Sequence, residues 1–181
     1  GKKKYSGISL VMIFHQIHYF VYTYIMPIYL YQNTKSFIAV AIAFAITWIV
    51  YLSPQVIVEK SGNVKYKKVF FVGHSFLAVC LGLMAWMSRF GCTEGVLCCW
   101  LLTGSGGGTV FCIKHLCSKY EKMNMDLSEN IGHVVGPFLA VCICYYFPNV
   151  EITALAFVSC ISVVIALLSA IIVVVKERKN G

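Results

Sequence analysis

Six apolar runs of about 20 residues divide this chain, and each is long enough to cross the hydrocarbon core of a bilayer as a helix. They cover Ile8–Leu30, Phe37–Ile57, Val69–Met87, Gly95–Leu116, Ile131–Phe147 and Ile152–Val175. The runs lack the amphipathic periodicity of soluble helices and the alternation of half-buried strands. The pattern predicts an all-α integral membrane protein. It forms one six-span transmembrane domain over residues 1–181, with short connections and no soluble domain. The first run is too long for a signal-peptide core, and no small-residue cleavage site follows it, so it is expected to remain as a helix.

Composition agrees with a bilayer as the first partner. Hydrophobic residues make up 59% of the 181, and charged residues only 12%, about half the share of a soluble domain. The formal charge of +8 is not a nucleic-acid signal, because the cations sit in short loops. Lys2, Lys3 and Lys4 precede the first run; Lys60, Lys65, Lys67 and Lys68 follow the second. Lys114, Lys119 and Lys122 follow the fourth, and Lys176, Arg178 and Lys179 the sixth. Only Lys35 and Arg89 fall on the other side. Excess cations mark the cytoplasmic side, so both termini are expected there, in a multi-pass protein of the cell membrane. Most of the nine cysteines lie inside apolar runs, where they act as small packing residues, and no Cys-x-x-Cys pair suggests zinc or redox chemistry.

The polar exceptions inside the runs carry the candidate chemistry. In the first run His15, His18 and Tyr22 share one helix face, with Gln16 and Tyr19 beside them. Polar groups facing lipid are costly, so this face is expected to look into the bundle or a watery cavity. The side chains then either contact a solute or make interhelical hydrogen bonds. His15-x-x-His18 brings no third ligand of recognisable spacing, so neither a metal nor a cofactor is expected.

The fourth run holds Thr103-Gly104-Ser105-Gly106-Gly107-Gly108-Thr109. No Gly-Lys-Ser/Thr follows, so this is not a phosphate-binding loop. Thr103 stands where the Gly-x-Ser-Gly of an intramembrane serine protease needs glycine, and the sixth run has no histidine. A closely packed helix or a hinge beside a cavity remains. In the fifth run Gly132, Gly136 and Ala140 share one face, and Pro137 removes a backbone donor. Small residues there let another backbone approach, either as static packing or between moving bundles. The sixth run has no Gly, Pro, His or charge before Lys176 and reads as a lipid-facing outer helix.

Six spans with both termini inside, and a charged turn after the second, resemble one half of a major facilitator superfamily transporter. Glu59-Lys60-Ser61-Gly62, with Lys65 shortly after, is similar to the family's Asp-Arg-x-Gly loop motif, with Glu in place of Asp. Gly132-x-x-x-Gly136-Pro137 is similar to the fifth-span motif of its proton-coupled antiporters. The resemblance implies an MFS-like half, more usual as the N-terminal one, in which spans one and four line a cavity. It implies a second six-helix half, or a second copy of the chain, around a midplane site.

The function expected from this is secondary transport of a small solute by alternating access, without enzymatic activity. His15, His18, Tyr22, Gln16 and Tyr19 would contact the solute. Gly104, Gly106, Gly107, Gly108, Gly132, Gly136 and Pro137 would let helices pack and hinge. Glu59, Lys60, Gly62 and Lys65 would latch the cytoplasmic gate. The alternative is a non-transporting accessory subunit that docks on a membrane partner.

Overall fold

The computed structural model describes residues 6–62, 64–117 and 122–180. Lys2, Lys3, Lys4 and Lys119, counted above for the topology, lie outside them. Among the described residues the secondary structure is helical, with no strand. The helices are α1 (Ser6–Tyr22), α2 (Ile25–Thr34), α3 (Phe37–Lys60), α4 (Tyr66–Arg89), α5 (Thr93–Gly107), α6 (Lys122–Tyr146) and α7 (Glu151–Asn180). A 3-10 segment, Gly108–His115, continues α5. Six of the resulting helical stretches are long and apolar enough to cross a membrane, so this is a multi-pass membrane protein.

Local sequence explains where the spans depart from simple rods. The first span breaks between Tyr22 and Ile25. Pro27 is the cause: its ring clashes with the carbonyl four residues back, that of Thr23, and it lacks the proton to bond it. Pro54 sits inside α3 without ending it. The carbonyl it deprives, Val50 O, instead accepts a 2.8 Å hydrogen bond from Ser53 Oγ, the kind of repair that keeps proline tolerable in lipid. Ser36 caps α3 by accepting from the Ala39 amide. Gly62 turns the chain after α3 with φ at +66°, a conformation that favours glycine. The fifth span starts earlier than its apolar run, at Lys122, so Glu129 lies within the helix.

The principal pairings are span one with spans five and six (α1 with α6 and α7), three with four and six (α4 with α5 and α7), and two with four (α3 with α5). Exchanging spans one with four, two with five and three with six leaves this set unchanged. Spans one and four run in opposite directions, so the exchange relates two inverted groups of three helices.

Burial differs from the expected inner and outer sets. The sixth span is not a lipid-only helix: Ala156, Ser159, Ser162, Ala166, Ser169 and Ala170 form a buried small-residue stripe. The stripe lets α1 and α4 approach α7 closely. The second span is the outermost, with 6% of its membrane-crossing window buried, against 56% for the fourth.

Candidate functional site

A glycine pair builds the centre of the site. A side chain at Gly106 would meet the Gly73 carbonyl and Leu77, and one at Gly73 would meet Thr109. The two glycines therefore allow α4 and α5 to touch backbone to backbone. The helix narrows to 3-10 geometry from Gly108, in the middle of the glycine run, and an α-to-3-10 change inside a span is a common mark of a hinge. This contact sets Thr109 against His74.

His74 is fully buried and stacked on Phe70, ring centroids 3.9 Å apart. Its Nδ1 lies 3.2 Å from the Phe70 carbonyl and 2.9 Å from Thr109 Oγ1. Its Nε2 lies 2.9 Å from His15 Nδ1 on α1. Donor logic orders this chain. A carbonyl only accepts, so His74 Nδ1 carries a proton. Thr109 spends its own proton on Gly106 O at 2.6 Å and accepts from His74. With both rings neutral, His74 Nε2 is bare and takes the proton of His15 Nδ1. One directed chain thus ties spans one, three and four.

His18 is 1% exposed, edge-on to His15 with centroids 4.7 Å apart. Its carbonyl accepts from Ser159 Oγ of α7 at 3.0 Å, while its Nδ1 is buried with no hydrogen-bond partner among the described residues. Tyr22, one turn on, is 2% exposed and packs with Leu77, Trp100 and Val163. The fold therefore places His15, His18 and Tyr22 in the bundle interior, against α4, α5 and α7. A solute would have to enter the bundle to reach them. Among the described residues no three metal-ligating groups converge.

Gln16 and Tyr19 point elsewhere. Gln16 is buried too, packed against Gly132 of α6. The Tyr19 ring is 6.4 Å from Tyr51 of α3. On α6 the His133 ring stands 4.3 Å from Phe20, edge to face, and its Nε2 is 3.7 Å from Glu129 Oε1. A half-exposed aromatic and polar face thus runs from α3 across α1 to α6. Tyr51, Glu129 and His133 are not among the site residues expected from the sequence. A polar residue inside an apolar helix was the signal that marks His133; His74 gave the same signal, and nothing in spacing joined it to His15.

The remaining residues fall as follows. Gly104 and Gly108 pack against α3 at Tyr51, and Gly108 also meets Pro54. Gly107 stands close to His18 Nε2. Gly132 and Gly136 meet α1 at Gln16 and Phe20, so this stripe is a contact within the bundle, and Pro137 continues α6 without a break. Glu59 accepts from Gln55 Nε2 at 2.8 Å. No ion pair joins it to Lys60 or Lys65, both exposed, among the described residues. Compared with known proteins, the chain matches no family model, no curated protein and no solved structure.

Proposed function

We propose that the chain is one half of a secondary transporter of the major facilitator type, moving a small solute by alternating access with both termini in the cytoplasm. The observation that carries this reading is the pairing of its spans. Two inverted groups of three helices, related by exchange of spans one and four, are the repeat from which such halves are built. In that architecture the face carrying Tyr19, Tyr51, Glu129 and His133 turns toward the second half, or a second copy, and meets the solute, with Gln16 buried at its edge against α6. His18, with its unpaired ring nitrogen behind this face, is the inner contact. The His15–His74–Thr109 chain holds the first span against the hinge of the fourth. The glycine run at the α-to-3-10 change supplies the local freedom that rocking requires.

Cysteines placed at Tyr19 and Tyr51 in a cysteine-free background test this. In membranes, a membrane-impermeant thiol reagent should reach both positions from each side, because an alternating cavity opens to both. Labelling from one side only, or from neither, would refute alternating access. A second reading, an accessory subunit docked through its outer spans, draws on the broad apolar exposure of α3, and one-sided or absent labelling would favour it.

A further inference from the structure

Two cavities flank the start of α4 and share Lys65 and Lys68. One, of about 740 Å³, descends between α3, α4 and the fourth span. The other, of about 630 Å³, opens toward the ends of the fourth and sixth spans and adds Lys67, His115 and Arg178. Lys65, Lys68, Val69, Val72, Gly73 and Phe76 all line the first cavity. The spacing of Lys68, Val69, Val72, Gly73 and Phe76 puts them on one face of α4, with Lys65 at its N-terminal cap, so the groove is cationic at the mouth and apolar below. From Lys65 to Phe76 the helix rises about 17 Å, close to the depth of one hydrocarbon leaflet.

The cavity's hydroxyls are already satisfied. Ser61, Ser105 and Thr109 each donate to the carbonyl three residues back, at 2.9, 2.7 and 2.6 Å. The walls therefore ask nothing polar of an occupant, whereas Lys65 and Lys68 have no ion-pair partner among the described residues. Anion above and hydrocarbon below is the chemistry of a phospholipid. We propose that this groove binds an anionic phospholipid, its phosphate between Lys65 and Lys68 and one acyl chain along Val69, Val72 and Phe76. The site holds whether or not the bundle transports a solute. A lipid bridging α3 and the hinge-bearing fourth span would fix their separation.

Native mass spectrometry of the purified protein, titrated with dioleoylphosphatidylglycerol or dioleoylphosphatidylcholine, tests it. Phosphatidylglycerol should be retained preferentially. Lys65→Ala with Lys68→Ala should weaken that retention about thirtyfold, the effect of two lysines near an anionic headgroup. Lys176→Ala with Lys179→Ala, at the same end but outside both cavities, should leave it unchanged. Val72→Trp, which fills the groove with the lysines intact, should also lower retention, and glycerol 3-phosphate should fail to compete. Equal retention of phosphatidylcholine, or equal loss in the Lys176 and Lys179 variant, would overturn the proposal in favour of general lipid contact or diffuse charge. Competition by glycerol 3-phosphate as strong as by the lipid would reduce the site to a phosphate site. If the double lysine variant fails to fold, Val72→Trp decides: undiminished retention refutes the groove.

Discussion

The second and fourth spans are packed against each other and both are apolar enough to cross a membrane, yet 6% of one window is buried and 56% of the other. Their difference lies in small residues. The fourth span offers Gly104 and Gly108 to α3 and Gly106 to α4, so neighbours approach it from two sides. The second span offers a large side chain at most outward positions, with Phe37, Ile38, Trp48, Ile49 and Ile57 all exposed. In water the more apolar helix would be the more buried. In lipid, burial gains little from the hydrophobic effect and depends on close van der Waals contact and hydrogen bonding.

The sharpest way to break that comparison is at the closest backbone contact. Gly106→Leu should drive a side chain into the Gly73 carbonyl and Leu77. It should destabilise the bundle by about 3 kcal/mol, the upper end of ordinary overpacking, as read by reversible unfolding in mixed micelles. A near-neutral result would mean that α4 and α5 do not touch there.

Gly136→Leu probes the same principle on a less enclosed helix, against Phe20. It should cost about 2 kcal/mol and leave membrane insertion intact, since Leu favours lipid. Normal stability together with lost transport or assembly would instead put this stripe at a moving surface.

Hydrogen bonding is the second cause of inner burial. A double-mutant cycle with His15→Ala and His74→Ala should give a coupling energy of about 1 kcal/mol, within the range of interhelical hydrogen bonds in membranes. Additive single effects would show that the two rings do not bond. His18→Ala belongs beside it. Its Nδ1 has no hydrogen-bond partner among the described residues, so thermal shift with candidate solutes should report a lost ligand response more than lost stability. A destabilised variant with an intact ligand response would make His18 a packing residue.

The smallest effects should come from the outer spans. Ile49→Ala on α3 and Phe138→Ala on α6 should each change stability by less than about 0.5 kcal/mol, as surface positions do. Losses of core size would show that a partner covers these spans in the purified protein.

Hydropathy and residue type alone determined a good deal. The membrane as solvent and the six spans follow from runs of apolar residues, because a backbone in lipid must bond to itself. Pro27 accounts for the break after Tyr22, although the uninterrupted first run was expected as one helix, and the change of helix type in the fourth span falls within the glycine run. The burial of His15 and His18 was legible too, since a polar face does not look at lipid. Tertiary structure decided the rest. It packed one face of the sixth span against α1 and α4, turned Gly132 and Gly136 onto α1, and brought His74 and Thr109 to His15 across 59 and 94 positions of chain. The reason is physical. In water, polarity marks which face of a helix is outside, and the pattern can be read along the chain. In a bilayer, lipid tails and neighbouring helices are equally apolar, so the same residues fit both faces, and only the fit of one helix surface to another selects which is buried.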